Sequence, residues 1–422
     1  MRAYIKTYGC TLNQADGEIM GNLLAEDGFS IVDNEDEADL VVLNTCTVKK
    51  PTEQKIMHKM AGLSSAGRKF VIAGCMASTR KDTLSKLFPE SGIITTKSIQ
   101  MIGEAAAASI KGSGGVFDAS GRTDKSVFLN PKEGVIAKIP ANDGCLDSCS
   151  FCESKLARGP LNSFSPELII GAIKKSIAMG AKEIQLTSQD MGAYGRDRRT
   201  NVIELMRKVT EIEGDFRVRV GMMNPEHLKG IVDEFASLLT DRRFYRFVHL
   251  PVQSGSDRVL SHMNRRCTVD QFEEHVIRLR QLVPNLTLET DIIVGYPIES
   301  LNDFDATFEM LKRVKPNVTN ISKFCPRPKT RAARLKQINN REVDRRSNAI
   351  SREVRAIQKH LNEKCVGAIE RITITELTQK SSNGRNGSYR QVVLPGVRVA
   401  PGRSIDAYIY AASANVLYGR AL

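Results

Sequence analysis

The stretch Gly144-Cys145-Leu146-Asp147-Ser148-Cys149-Ser150-Phe151-Cys152 carries three cysteines within eight residues. It follows an apolar run at residues 135–140, which predicts a buried strand leading into a cysteine-rich loop. Thiolates this close on a loop can converge on one metal site. A structural zinc site needs four ligands, and a ferredoxin-type cluster is held by four cysteines. An iron–sulfur cubane held by only three cysteines would leave one iron open for another ligand. A zinc loop or three ordinary buried thiols is the alternative interpretation.

The spacing C-x3-C-x2-C, with the aromatic Phe151 directly before the third cysteine, resembles the signature of the radical S-adenosylmethionine (SAM) superfamily. The resemblance implies that Cys145, Cys149 and Cys152 are catalytic and hold a [4Fe-4S] cluster whose open iron binds SAM. It also implies that Phe151 contributes to the cofactor site.

The chain has 422 residues, enough for several domains, and its 41% hydrophobic content is ordinary for a globular protein. Sixty-one Lys and Arg residues against 48 Asp and Glu residues give a net charge of +13. This excess predicts a polyanionic partner, nucleic acid first, with charge kept for solubility as the alternative. Nine cysteines without a signal peptide predict a reducing compartment and metal ligation rather than disulfides. No run reaches the roughly 18 apolar residues that a membrane span needs, so we expect a cytoplasmic location and no membrane partner.

Three further cysteines, Cys10, Cys46 and Cys75, each follow a predicted strand in the first third of the chain. These strands, at residues 3–8, 39–43 and 69–73, alternate with helices and so predict a parallel sheet. Ligands collect beyond the carboxyl ends of the strands in such sheets. We therefore expect the three thiols to meet at one sheet edge and to form a second site with three cysteines. The alternative is that each cysteine is a small buried hydrophobe.

The sequences at residues 8–13, 44–48 and 73–75, which contain these cysteines, resemble the N-terminal domain of the methylthiotransferases. This radical SAM family carries two [4Fe-4S] clusters. The resemblance implies that Cys10, Cys46 and Cys75 hold the auxiliary cluster, whose open iron binds the sulfur to be inserted.

The middle of the chain shows six strand–helix units, which predict a partial (β/α)6 barrel with its active site on the loops after the strands. The predicted strands lie at residues 135–140, 183–187, 216–221, 244–250, 286–293 and 318–324. Six polar residues and one glycine lie at the strand ends, namely Ser188, Gln189, Asp190, Asn224, Gln253, Asp291 and Gly295. They match methylthiotransferase motifs and, by that resemblance, line the SAM and substrate cavity. The Gly-Gly-Glu common near the second strand of radical SAM enzymes is replaced by Thr187-Ser188-Gln189, which leaves the partner of the SAM amino group open.

The last third combines a basic connector with short strands. Residues 327–346 contain eight basic and two acidic residues, which indicates either a phosphate-binding surface or a solvated helix face. Strands at 369–377, 390–394, 404–411 and 415–419, with an Asn-Gly turn at 382–387, predict a small β-barrel. The barrel resembles the TRAM domain and implies RNA binding. The contact candidates are Gly384, Arg385, Tyr389 and Tyr408 or Tyr410, with barrel core as the alternative for each tyrosine.

We thus predict an α/β protein in three domains with two connecting segments. They are an N-terminal methylthiotransferase domain (1–111), a linker (112–130), a radical SAM barrel (131–338), a basic helical connector (339–366) and a TRAM-like RNA-binding domain (367–422).

The family resemblance covers nearly the whole chain and implies a monomeric transferase that inserts sulfur and a methyl group into an unreactive C–H bond. Three short sequence motifs, at residues 46–51, 156–159 and 221–225, resemble those of the archaeal and eukaryotic branch of the methylthiotransferases. That branch acts on N6-threonylcarbamoyladenosine at position 37, in the anticodon loop of tRNA. The alternatives are isopentenyladenosine in tRNA, an aspartate of a ribosomal protein, or a non-catalytic iron–sulfur protein that binds RNA. The sequence identifies neither the electron donor nor the sulfur source.

Overall fold

The computed structural model describes residues 1–48, 50–119, 121, 123–131 and 133–422. Its N-terminal domain is a six-stranded parallel sheet in the order β2-β1-β3-β4-β5-β6. The elements are β1 (Arg2–Thr7), α1 (Thr11–Glu26), β2 (Ser30–Ile31), β3 (Leu40–Thr45), α2 (Lys50–Ser65), β4 (Phe70–Ala73), α3 (Gly74–Leu87), β5 (Gly92–Ile94), α4 (Ile102–Lys111) and β6 (Gly115–Phe117). The central strands β3 and β4 are buried along their whole length, as parallel strands covered by helices on both faces must be. The parallel sheet predicted from sequence is confirmed.

Three of the six strands, β2, β5 and β6, were not predicted because two or three residues are too short to show a periodicity. Strand β6 lies inside the segment assigned to a linker, so the sheet extends to Phe117 instead of ending at residue 111. Gly114 allows the chain to turn from α4 back to the sheet, since it has φ +57° and a Cβ there would lie 1.9 Å from Pro89 O.

The central domain contains six parallel strands in two sheets, ordered β11-β10-β7 and β12-β13-β14. A bridge between Val218 and Phe244 links the two sheets, which confirms the partial (β/α)6 barrel. The strands are β7 (Ile136–Pro140), β10 (Glu183–Thr187), β11 (Arg217–Arg219), β12 (Phe247–His249), β13 (Thr287–Val294) and β14 (Val318–Lys323). The short strands β8 (Asn142–Asp143) and β9 (Asn162–Ser163) pair beside the barrel. Helix α1 of the N-terminal domain packs against β7.

The barrel helices are α5 (Glu153–Arg158), α6 (Pro166–Ala178), α7 (Val202–Thr210), α8 (Val232–Leu239), α9 (Asp257–His262), α10 (Val269–Leu282) and α11 (Leu301–Val314). Their start signals are local: Ser165 caps α6, and capping boxes open α10 at Thr268 and α11 at Ser300. The main hydrophobic core lies between these helices and the strands. Within the described residues, none of the helices is both long and apolar enough to cross a membrane.

Helix α12 (Asn340–Glu363) packs against α11 and β14 and leads to a closed five-stranded barrel in the order β15-β16-β17-β19-β18. The strands are β15 (Ile369–Leu377), β16 (Ser381–Arg385), β17 (Gln391–Pro395), β18 (Ser404–Ala412) and β19 (Leu417–Ala421). The small C-terminal barrel is confirmed, and of the two Asn-Gly pairs in the turn predicted at 382–387 the second, Asn386-Gly387, lies in the turn, whereas the first does not. Gly384 lies within β16, and a Cβ there would stand 2.3 Å from Thr373 O, so the close approach of β15 requires glycine. The turn comes later, where the backbone N–H of Asn386 donates to Arg390 O.

Part of the basic charge predicted for a phosphate-binding surface is buried. Arg346 on α12 is only 4% exposed and pairs with Glu299 at 2.8 Å and with Glu342 at 2.7 Å. This arginine therefore fixes α12 to the barrel and is neither a phosphate ligand nor part of a solvated face.

Candidate active site

Cys145, Cys149 and Cys152, here called the loop trio, lie beyond the carboxyl end of β7, between β8 and α5. Burial raises the pKa of Cys145 to about 12 and that of Cys149 to about 11, and the neighbouring Cys152 adds to both shifts. The Asp147 backbone N–H donates to Cys145 Sγ at 3.3 Å. The three thiols are thus close enough to interact electrostatically, as ligands of one cluster must be.

Contacts from the segment after α9 hold the loop trio in place. The Ser150 N–H donates to Met263 O at 3.0 Å, and the Ser150 hydroxyl lies 2.9 Å from the Tyr296 hydroxyl. The Asn264 amide donates to Ser148 O, also at 3.0 Å. The loop is therefore shaped by protein contacts as well as by any metal.

Cys10, Cys46 and Cys75, here called the sheet trio, follow β1, β3 and β4 at one edge of the N-terminal sheet. Gly9 has φ +101°, and a Cβ there would lie 2.7 Å from Cys46 Sγ, so glycine is required for this close approach. Burial raises the pKa of Cys75 to about 12, and Cys10 and Cys46 add to the rise. The fold thus brings together three thiols that are 36 and 29 residues apart in the sequence.

Helix α5 connects the two trios, because it starts directly after Cys152 and ends at the buried Arg158. The Arg158 guanidinium lies 2.7 Å from Asp16 and 3.0 Å from Asp143, and its positive charge lowers the pKa of Cys75 against the effect of burial. Lys125 completes the network, at 3.0 Å from Asp16 and 2.6 Å from Asp143. Sequence reasoning missed these roles because Arg158 is 142 residues from Asp16.

A second buried arginine, Arg327, joins the domains on the other side of the site. It lies 2.7 Å from Glu53 and 3.8 Å from Glu153, and it donates to Val48 O at 2.6 Å. Arg80 shares Glu53 at 2.7 Å. The N-terminal and central domains are therefore tied together by two sets of buried ion pairs.

A cavity of about 190 Å³ opens between the two domains. It is lined by Thr47, Val48, Phe151, Cys152, Glu153, Ser154, Gln253, Asp291, Ile292, Ile293, Ser322, Lys323, Phe324, Cys325 and Arg327. Cys152 belongs to the loop trio, and Thr47 directly follows Cys46 of the sheet trio. The cavity therefore reaches the loop trio itself and the residue next to the sheet trio.

Three residues expected at the site, Phe151, Gln253 and Asp291, line this cavity. Gln253 has φ +78°, an uncommon conformation for a residue other than glycine. Burial opposes ionisation of Asp291, but His249 at 3.1 Å outweighs it, and the pKa of Asp291 is lowered. Asn320 also donates to Asp291 at 2.8 Å. The lowered pKa favours the ionised Asp291 carboxylate, whose Oδ1 bonds to both His249 and Asn320.

Ser188, Gln189, Asp190 and Asn224 gather on the Cys145 side of the loop trio. Asp190 Oδ1 accepts from the Asn224 N–H at 3.1 Å, and the Ser188 hydroxyl accepts from the Asp190 N–H at 3.0 Å. In the described structure, Gln189 Oε1 and Asn224 Oδ1 are buried without a hydrogen-bond partner. Buried polar atoms of this kind are usually satisfied. The two free acceptors fit a polar ligand with N–H donors, such as the methionine amino group of SAM.

An ionic cluster beside Cys145 was not predicted. His227 lies 2.7 Å from Asp190 and 3.2 Å from Glu226, and these contacts outweigh burial and raise the pKa of His227 to about 9. Hydrogen bonds from His227 and Asp147 likewise outweigh burial and lower the pKa of Glu226 to about 2. Burial and the Glu226 charge raise the pKa of Asp147. The available signal was the position of Glu226 and His227 just after Asn224, beyond a strand end.

Gly295, another expected site residue, is not among the described residues that line the cavity. Its φ is +78°, and a Cβ there would lie 2.6 Å from Val343 on α12. The structure gives this glycine a packing role.

The C-terminal barrel closes the opposite, amino end of the central barrel. The Tyr389 hydroxyl donates to Glu183 and accepts from Gln185, both at 3.1 Å, and its ring contacts Phe247 with centroids 4.9 Å apart. Arg385 lies 4.2 Å from the Tyr389 ring centroid and 3.3 Å from Glu183. The expectation that Arg385 and Tyr389 contact RNA is therefore corrected, because both fix one domain to the other.

Two protein-family models match the chain. The radical SAM superfamily matches residues 139–311, and a family described as "Uncharacterized protein family UPF0004" matches residues 2–96. Among solved structures, the radical SAM methyltransferase TsrM from Kitasatospora setae aligns over 89% of this chain and 79% of its own, with a TM-score of 0.58. Its 14% identity shows the fold alone. With the loop trio just after the first barrel strand, these matches define the class: a radical SAM enzyme with an N-terminal UPF0004 domain.

Curated relatives narrow the class to one family. A protein of Pyrococcus horikoshii named "Probable threonylcarbamoyladenosine tRNA methylthiotransferase" is 39% identical and covers 99% of both chains. The human "Threonylcarbamoyladenosine tRNA methylthiotransferase" is 34% identical over 99% of this chain and 74% of its own. The chain belongs to this family of transferases. The family uses SAM and a [4Fe-4S] cluster, with a second cluster in the methylthiotransferases.

Proposed function

We propose that this enzyme converts N6-threonylcarbamoyladenosine at position 37 of tRNA, next to the anticodon, into its 2-methylthio derivative. The observation that carries the proposal is the single cavity bounded by Cys152 on one side and by Thr47, the neighbour of Cys46, on the other. A substrate atom in this cavity would contact the loop trio at Cys152 and would lie beside the segment that carries Cys46. Replacing a C–H bond with a C–S–CH3 group requires that access.

The loop trio would hold the [4Fe-4S] cluster that binds SAM, and the sheet trio would hold the second cluster. Bound there, these cofactors supply radical chemistry, which is needed because the target carbon has no useful acidity. The chain's own residues position the reactants. Phe151, Gln253 and Asp291 line the substrate cavity, whereas Gln189 and Asn224 offer free acceptors beside Cys145.

The anticodon loop is the expected part of the tRNA. RNA loops present unstacked bases that can enter a cavity, whereas the bases of a duplex are stacked and paired. The closed barrel at 367–422 would act as a TRAM-like RNA-binding domain. It exposes the Tyr410 ring together with the basic residues Arg371, Lys380, Arg403 and Arg420. These residues would contact the tRNA backbone and bases.

We further propose that the enzyme works as a monomer in the cytoplasm. Both trios and the cavity between them are built from one chain, so a second copy need not supply a site residue. Nine cysteines, six of them in the two trios, also suit a reducing compartment.

Mass spectrometry of tRNA nucleosides from cells with and without this gene tests the proposal. We expect 2-methylthio-N6-threonylcarbamoyladenosine to disappear without the gene, while its unmethylthiolated precursor accumulates. Loss of the methylthio group from isopentenyladenosine, or from a ribosomal-protein aspartate, would overturn the proposed substrate.

A further inference from the structure

The cavity between the trios contains four charged side chains among the described residues that line it: Glu153, Asp291, Lys323 and Arg327. One of these, Arg327, is committed to an ion pair inside the protein, and two, Glu153 and Asp291, are carboxylates, which bind cations and not anions. Arg327 is 5% exposed and pairs with Glu53 at 2.7 Å, while Glu153 lies against Arg327. Asp291 is held by hydrogen bonds, as described above. Lys323 is therefore the cationic side chain in this lining that can contact a bound anion.

Lys323 stands at the carboxyl end of β14, and its partner is a surface carboxylate. Its ammonium lies 2.7 Å from Asp344, and the two side chains are 53% and 55% exposed. Ion pairs between such exposed groups contribute little to stability because water competes for both charges. The ammonium can thus change partner at small cost when an anion enters the cavity.

The lining also contains an unsatisfied hydroxyl group. Thr47 is 0% exposed, and within the described structure its Oγ1 has no hydrogen-bond partner. Buried hydroxyls normally have a partner. A ligand with polar groups therefore suits this cavity better than a hydrocarbon does.

We propose that Lys323 selects the substrate by binding the carboxylate of its threonylcarbamoyl group. This inference rests on the proposed function, since that group carries a free carboxylate and a hydroxyl group. An isopentenyl group is a neutral hydrocarbon and offers Lys323 nothing. A charge-assisted hydrogen bond in a partly enclosed cavity discriminates strongly against an analogue that lacks the charge.

The test uses two anticodon stem-loop RNAs. One carries N6-threonylcarbamoyladenosine, and the other carries its methyl ester, which has nearly the same shape without the charge. We expect the wild-type enzyme to favour the acid by about 10- to 100-fold in kcat/KM and in binding affinity. Lys323→Met should lose this preference and treat the two RNAs within about twofold. The matched control is Lys312→Met, which removes a lysine that pairs with Glu309 on the exposed face of α11, and it should keep the wild-type preference.

Iron content and thermal unfolding establish that Lys323→Met is folded. If the folded variant prefers the acid as strongly as wild type does, the inference is overturned. If wild-type enzyme methylthiolates neither RNA, the proposed function fails instead. Equilibrium binding of the two RNAs then still decides the role of Lys323, because a charge contact must appear in the affinity of wild type and vanish in the variant.

Discussion

At the scale of single residues, Arg265 has the clearest electronic role, because its guanidinium lies 3.9 Å from Cys149 Sγ. Hydrogen bonds and positive charge near cluster sulfurs raise the reduction potential of an iron–sulfur cluster. Asp147 acts on the same thiol with the opposite sign. We therefore predict that Arg265→Met lowers the midpoint potential of the cluster at the loop trio. A redox titration followed by electron paramagnetic resonance measures it.

The control for this prediction is Arg266→Met, a neighbouring exposed arginine whose backbone N–H, kept in the variant, bonds Glu226. It should leave the potential unchanged. An Arg265→Met protein with the wild-type potential would show that the contact with Cys149 has no electronic effect.

His227 should give the protein a defined response to alkaline pH. Its pKa is about 9 in the fold against about 6.5 in the unfolded chain, because Asp190 and Glu226 hold its proton. Stability from this pairing is complete below about pH 6.5 and is lost as pH rises through about 9. Denaturant titrations from pH 6 to 10 should show this loss in wild type and a smaller one in His227→Gln. The exposed His360→Gln should behave like wild type, and a decline of equal size in His227→Gln would exclude this histidine as the cause.

At the scale of secondary-structure elements, Tyr389 joins the C-terminal barrel to the amino end of the central barrel. Tyr389→Ala removes its ring contacts with Tyr245 and Phe247 and leaves Glu183 without one of its hydrogen bonds. Loss of a large buried aromatic side chain costs about 3 to 5 kcal/mol. We expect hydrogen exchange to accelerate across residues 367–422 in this variant.

Tyr410→Ala is the matched control, since Tyr410 belongs to the same barrel and is 49% exposed. Hydrogen exchange should stay at the wild-type rate, whereas RNA affinity should fall through the loss of stacking. Equal exchange rates in Tyr389→Ala and wild type would show that the two barrels are held together by other contacts.

Helices and strands could be predicted from the sequence where their apolar residues were numerous enough to show a helical or strand periodicity. Cys46 and Cys75 directly follow such runs, so their common position at a sheet edge could be inferred from topology. Helix α5 has six residues and β6 has three, too few for a periodicity. The Asn-Gly pair at Gly384 was misleading because tertiary packing against Thr373 outweighed the local turn preference. The Arg158 and Arg327 ion pairs could not be predicted, since their partners come from distant segments.

At the scale of the whole molecule, the two trios belong to different domains and should be separable by mutation. Cys46→Ala should reduce the iron content from about eight to about four atoms per chain, because one of two [4Fe-4S] clusters loses a ligand. Cleavage of SAM to 5′-deoxyadenosine should continue, whereas methylthiolated tRNA should no longer form. Iron analysis and mass spectrometry of both products provide the measurement.

Cys267→Ala is the control, because Cys267 is buried but belongs to neither trio. It should keep about eight irons and full product formation. Normal methylthiolation by Cys46→Ala would remove the sheet trio from the reaction.

The contacts that Tyr389 and Arg385 make at the amino end of the central barrel also bear on the order in which substrates bind and products leave. Because the C-terminal domain packs on the amino end of the barrel, we expect SAM and its products to pass through the cavity at the carboxyl end, which the RNA would cover in the proposed complex. Bound tRNA would then block this route. SAM should therefore bind before the tRNA, and the cleavage products of SAM should leave only after the tRNA dissociates. Excess tRNA should accordingly slow turnover, and the kinetics should show a compulsory sequence with the nucleic acid arriving last.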